Sequence, residues 1–305
     1  MCYPFLMNIH TALDNLLIDL SALCLGRSRF FDRGITSPTF EEHLRSTVLS
    51  VPDIEGEGRR ELEADTLSGR LDPALHVAQW RGTGYPTVIY HHGGMERPFD
   101  YGPFSKNTFG RILFSKKKPV EANLINLRAA FHSDRSRLRR IRSIRELSDF
   151  LAMLAVSVKL VEETTCRVKA RSQKRVVVAG ISLGGWVANL HRTYFNSADV
   201  YVPILAGAAL GELFLSSIYR RMVARCARMN PEAVRSLLNF EAEFSSVKDN
   251  NVFPVLALYD RIVDYDRQRA CYGNAPIRVL KKGHATCARA HEALRRHITE
   301  LLASP

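Results

Sequence analysis

Gly180-Ile181-Ser182-Leu183-Gly184 places one serine between two glycines, directly after the apolar run Val176-Val177-Val178-Ala179 and before Gly185-Trp186-Val187-Ala188-Asn189-Leu190. A buried strand joined to a helix through Gly-x-Ser-x-Gly is the pattern of a nucleophile elbow, a turn so tight that only small residues fit beside the serine. Ser182 is then left with an exposed hydroxyl, aimed outward and able to attack a carbonyl carbon. A serine hydroxyl is a weak nucleophile at neutral pH, so that chemistry also needs a base, a group that orients the base, and donors for the oxygen that becomes negative.

The chain supplies these in order. Phe253-Pro254-Val255-Leu256-Ala257-Leu258-Tyr259 has the length and composition of a strand and ends on Asp260, so a carboxylate emerges at a strand's carboxyl end. Pro276-Ile277-Arg278-Val279-Leu280-Lys281-Lys282 reads as the next strand, and the loop Gly283-His284-Ala285-Thr286 delivers an imidazole. Asp264, four residues beyond Asp260, reads as a turn residue or as support for the site, and the choice of acid between the two stays open. Upstream, Pro86-Thr87-Val88-Ile89-Tyr90 runs into His91-His92-Gly93-Gly94-Met95, a strand followed by a glycine loop with unshielded backbone N–H groups. The candidate oxyanion donors are the N–H of Leu183 and that of Gly94, with Met95 as the alternative register. His91 and His92 stand where a loop histidine braces backbone. His92, Met95, Phe214 and Ile218 are the candidate substrate contacts.

With four motifs in this order, the chain resembles the serine hydrolases of the α/β-hydrolase superfamily from about Leu75 to the C-terminal helix. The resemblance implies Ser182 as nucleophile, His284 as general base and then general acid, and Asp260 as the carboxylate orienting His284. It implies cleavage of a carboxylic ester or related acyl bond through an acyl-serine intermediate, acting on a small-molecule acyl substrate with no metal and no organic cofactor. Thioesters and peptides suit the same constellation. A binding or scaffold protein that keeps the fold without turnover is the alternative from another class.

The elements that must position these groups follow from periodicity. Residues 59 to 81 hold short strands, with Leu75-His76-Val77-Ala78-Gln79-Trp80 alternating best, and Glu121 to Leu127 forms another. Val200 to Leu205 forms one more. Alternation of strands and helices predicts an α/β architecture, a mostly parallel central sheet flanked by helices, with a small helical cap insertion and an N-terminal accessory segment. The division expected is an accessory segment over 1–58 and a hydrolase domain over 59–305, with the cap at 211–250. In the cap, Leu213, Phe214, Leu215, Ile218, Tyr219, Met222 and Val223 either wall an acyl pocket or make core contacts of crossover helices. A helix over about 8 to 25 gathers Leu13, Leu16, Leu17, Leu20 and Leu23 near one face, expected to pack on the main domain.

A chain of 305 residues with 46% hydrophobic content can bury a large core. Its six cysteines, at 2, 24, 166, 226, 271 and 287, show no pairing spacing and read as reduced thiols of a cytoplasmic protein. Asp14 and Asp19 interrupt what would be the core of a secretory signal, and no transmembrane segment is evident. Net charge is +12, with Arg135, Arg137, Arg139, Arg140, Arg142 and Arg145 crowded into one stretch. Leu138, Ile141, Ile144, Leu147, Leu151, Leu154 and Val158 recur there at helical spacing. One long helix from about Arg135 to Val168 is expected, its arginines facing solvent. No aromatic residues are interleaved for base stacking, and no association with nucleic acid is expected. Oligomeric state leaves no mark.

Overall fold

The computed structural model describes residues 8–303 apart from 27, 55, 103, 115–118 and 134–143. Eleven strands are present among them: β1 (Val48–Leu49), β2 (Gly58–Glu61), β3 (Ala64–Thr66), β4 (Gly69–Leu71), β5 (Ala74–Gln79), β6 (Thr87–His91), β7 (Asn123–Arg128), β8 (Val176–Ile181), β9 (Val200–Ile204), β10 (Val255–Ala257) and β11 (Arg278–Leu280). Eight of them form one sheet in the order β11-β10-β9-β8-β6-β7-β5-β2, while β1, β3 and β4 form a small antiparallel sheet beside it. From β7 across to β11 every neighbouring pair is parallel, and β5 and β2 add an antiparallel edge.

The valine-rich strands are buried on both faces, as a parallel sheet with helices on each side requires. In β8, Val176 and Val178 join one hydrophobic cluster while Val177, Ala179 and Ile181 join the other. The long helix Leu147–Lys169 covers the first face, and Leu294 and Ile298 of the C-terminal helix His291–Ala303 cover the second. Register brings the motif loops together. His91 pairs with Gly180, Ile181 with Ile204, and Ala257 with Leu280, so β6, β8, β10 and β11 all discharge their loops at one edge of the sheet.

Two expectations about helices are corrected. The long helix begins at Leu147, and the arginine stretch 135–142, together with Leu138 and Ile141, lies outside the described residues. Residues 144–146 are not helical, because backbone there pairs with the segment around Asp32. Leu147 N–H donates to Gly34 O, Arg33 N–H to Arg145 O, and Arg145 forms an ion pair with Asp32 at 2.7 Å. The N-terminal helix Ile9–Leu25 does form, but its leucines do not turn inward together: Leu16, Leu20 and Leu23 are more than half exposed, while Leu13 and Leu17 are partly buried. Its buried residues are Asp14, Ile18, Ser21 and Leu25, and that row packs on the turn Ile218–Met222 and the helix His284–Cys287. The helical spacing of the leucines is real, but the row that goes inward is the one carrying Asp14.

Residues 211–250 form short helices, Gly211–Leu215, Arg225–Met229, Pro231–Leu238 and Glu241–Ser246, with a 3-10 turn at Ile218–Met222. Phe214 is their hub, with its ring centroid 4.9 Å from Phe31, 5.2 Å from Phe150 and 5.7 Å from Tyr219 in edge-on contacts. No helix among the described residues is long and apolar enough to cross a membrane. Their five cysteines, Cys24, Cys166, Cys226, Cys271 and Cys287, are all free thiols.

Candidate active site

Ser182 follows β8 with φ 53° and ψ −109°, a conformation that L-residues rarely adopt and that only a firmly held turn sustains. The hold is local. A Cβ on Gly180 would collide with the carbonyl of Gly184, a Cβ on Gly184 with the carbonyl of His91, and Ser182 N–H donates to Ile204 O at 2.8 Å. Ser182 stands at the cap position of the helix Leu183–Tyr194 but does not cap it. Its hydroxyl points to the histidine instead.

His284 and Asp260 complete the cluster. His284 Nε2 lies 3.1 Å from Ser182 Oγ, and His284 Nδ1 lies 2.7 Å from Asp260 Oδ2. A carboxylate only accepts, so Nδ1 carries the proton and donates to Asp260, leaving Nε2 to accept from the serine hydroxyl. Asp260 is buried, and its second oxygen accepts from the N–H groups of Ile262 and Val263, each at 2.8 Å. Burial pushes the Asp260 carboxyl above its usual value, against the pull of the neighbouring imidazole. Burial also opposes charging of His284, yet the charge and hydrogen bond of Asp260, with a further contribution from Asp14, hold its pKa above the usual histidine value. Asp264 is elsewhere employed: it caps the helix Tyr265–Ala270, accepting from Arg267 N–H at 3.0 Å.

The glycine loop after β6 lies against the elbow. A Cβ on Gly94 would be 3.8 Å from Leu183 Cβ, and Gly94, Met95, Ser182 and Leu183 share one cavity wall. Leu183 opens its helix, where first-turn N–H groups lack intrahelical partners and the helix dipole favours negative charge. Among the described residues, the N–H of Gly94 has no hydrogen-bond partner. Both are therefore available to an oxygen bound beside Ser182.

Two residues that the sequence left unremarked brace this loop. Glu96 is buried, accepts from Gly93 N–H at 3.1 Å and Thr108 N–H at 2.7 Å, and its carboxyl is pushed up by burial to about 7. His132 Nε2 lies 3.1 Å from Gly94 O. Side chains fixed by distant backbone leave no periodic trace in a sequence.

The cavity beside Ser182 measures about 560 Å³. Phe214 and Met95 line it, as do Ile18, Phe150, Met153 and Trp186. Leu213, Tyr219 and Met222 also reach it, so residues of the 211–250 segment serve both the core and the wall. Two expected substrate contacts do not lie on this wall. His92 is buried with both ring nitrogens engaged by backbone, donating to Gly93 O at 2.8 Å and accepting from Ala129 N–H at 3.0 Å, and it is absent from the wall. Ile218 lines a separate hollow with Arg220, Arg221 and Arg228. No cluster of three His, Cys, Asp or Glu side chains among the described residues could hold a metal ion.

This arrangement of sheet, elbow and loops is the α/β-hydrolase fold. Acetyl xylan esterase 1 from Thermoanaerobacterium sp. JW/SL YS485 is similar in structure at a TM-score of 0.56 and 13% identity, with 94% of each chain covered. The uncomplexed acylaminoacyl peptidase of Pyrococcus horikoshii is similar at 0.55 and 16% identity; the match covers 81% of this chain but only 41% of that one. A cold-adapted esterase from an Arctic intertidal metagenomic library gives 0.51 and 12%, over 84% of this chain and 97% of that one. At these identities the likeness is one of fold. No family model matches the chain, and no curated protein matches it in sequence.

Proposed function

We propose that the protein is a serine hydrolase cleaving a carboxylic ester or related acyl bond, with Ser182, His284 and Asp260 as its catalytic triad. One observation carries the reading: a serine hydroxyl in a strained elbow and an imidazole stand on the wall of a largely apolar cavity with a buried carboxylate behind the imidazole, in hydrogen-bonded sequence at 3.1 Å and 2.7 Å. His284 Nε2 takes the hydroxyl proton as Oγ attacks the acyl carbon, and Asp260 stabilises the imidazolium that results. The N–H groups of Leu183 and Gly94 receive the oxyanion. His284 then protonates the leaving group, and water, activated by the same imidazole, releases the acid from the acyl-serine.

The apolar wall suits a hydrophobic acyl group, which selects esters of longer chain. In this reading 211–250 is the cap of a hydrolase domain spanning 59–305, and residues 1–58 are an accessory segment packed on it, whose helix Ile9–Leu25 supplies part of the cavity wall. The free thiols suit a cytoplasmic location. The test is labelling by a fluorophosphonate probe together with turnover of p-nitrophenyl esters of graded length. Labelling is expected in the wild type and in the surface variant Lys174→Ala, and is expected to vanish in Ser182→Ala with kcat lower by about 10⁶. A folded wild type that takes no label overturns the proposal. Activity that falls steadily with acyl length overturns the acyl-pocket reading alone.

A further inference from the structure

Asp14 lies in the middle of the N-terminal helix and is fully buried, which a carboxylate tolerates only when its oxygens find donors. It finds three, all backbone N–H groups of the two loops that carry the acid and the base. Asp14 Oδ2 accepts from His284 N–H at 2.9 Å and from Arg261 N–H at 3.3 Å, and Oδ1 accepts from Ala285 N–H at 3.0 Å. One side chain thus ties the residue after Asp260 to His284 itself. The fit is close: a Cβ on Gly283 would lie 2.8 Å from Asp14 Oδ2 and 2.9 Å from His10 O. The same helix adds a contact between His10 Nδ1 and Thr286 Oγ1 at 2.9 Å, and the His10 ring stacks on Tyr259. Its next turns send Leu17, Ile18 and Ser21 to the cavity wall.

We propose that Asp14 is a positioning residue for the reaction: it fixes the His284 backbone so that the imidazole spans Asp260 and Ser182, its charge favours the imidazolium, and docking of the N-terminal helix becomes a condition of turnover. This rests on the serine-hydrolase reading above. Other charged or titratable groups also face the imidazole's surroundings. Asp260 and Arg261 stand on one loop, Lys281 and Lys282 at the end of β11, and Cys287 on the imidazole's own helix. Arg289 and His291 lie beyond that helix, Glu96 and His132 across the cavity, and His10 on the N-terminal helix. Asp14 and Asp260 are the two whose charge raises the pKa of His284. The base works in its neutral form. Removing the Asp14 charge therefore lowers the pKa and moves the acid limb of kcat/KM to lower pH.

The experiment uses the full chain and a p-nitrophenyl ester, comparing wild type, Asp14→Asn and Asp14→Glu across pH. Asp14→Asn is expected to lower kcat by about 10- to 100-fold through displacement of the base, with KM little changed, and to move the acid limb to lower pH. Asp14→Glu keeps the charge but shifts it by one methylene, so kcat falls while the limb stays near its wild-type position. A folded Asp14→Asn whose limb does not move overturns the proposal, whatever its kcat, because a merely structural residue would leave the limb in place. Should Asp14→Asn fail to fold, Asp14→Glu decides: a folded protein with wild-type kcat overturns it. Fluorophosphonate labelling separates the two readings. A wild type without label fails as a hydrolase and takes this proposal with it, whereas a labelled wild type beside an unaltered Asp14→Asn sinks the positioning role alone.

Discussion

Ser182 is held by Gly180 and Gly184 within two residues of it and by the adjoining strand β9, whereas the loop of His284 is held by a carboxylate 270 positions away in sequence. The glycine loop beside the elbow and the histidine loop each lean on a buried acid, and the same contrast applies. Glu96 braces the glycine loop from three residues' distance, while Asp14 reaches the histidine from another helix altogether. The serine side of the site is therefore specified by short-range geometry. The histidine side is braced by contacts from the N-terminal helix, on whose docking the proposal above makes it depend.

Gly184→Ala should have the largest effect. Its Cβ would strike the His91 carbonyl, so folded protein or all detectable turnover should be lost, as followed by circular dichroism and fluorophosphonate labelling. Gly94→Ala, with ordinary contact space toward Leu183, should fold. If both variants behave alike, the local account of the elbow is wrong.

Phe214→Ala is next. It removes the hub of an aromatic cluster that is also cavity wall, and it should cost about 3–5 kcal/mol in a urea titration while moving ester preference toward longer or bulkier acyl groups. A shift in preference without loss of stability would detach the cap from the core and weaken the view that one ring serves both.

The smallest effect concerns Glu96. Its folded pKa, about 7, lies above the usual 4.5, so the fold favours the protonated acid. The stability this lends is complete below about pH 4.5 and is lost as pH rises through about 7, in all about 3 kcal/mol. Urea midpoints across that window should fall with rising pH, and Glu96→Gln should flatten the slope. A flat wild-type profile would remove Glu96 from the comparison.

The same contrast sets what was legible in the sequence. Apolar runs bounded by glycine, proline and charged residues disclose β6, β8 and β10, because burial on both faces of a parallel sheet needs continuous apolar stretches, while the edge strand β11 is only partly buried and shows as a shorter run. The residues that follow those strands then stand at one edge by topology alone. Other features depended on hydrogen bonds between remote segments. Backbone pairing with the Asp32 region keeps 144–146 out of the helix, and the inward row of the first helix is the one carrying Asp14, with Leu16, Leu20 and Leu23 outward. Engagement of both ring nitrogens removes His92 from the cavity. Asp14 and Glu96 read as ordinary surface acids until their partners, named only by the fold, are known.

Trp186 sits one turn beyond Ser182, 2% exposed on the cavity wall, and is one of two tryptophans in the chain. Its fluorescence should therefore sense the polarity of the space where an acyl chain would lie. Filling that space with hydrocarbon instead of water changes the surroundings of the indole, so emission wavelength and quenching give a label-free gauge of occupancy, with the signal of Trp80 as an internal reference.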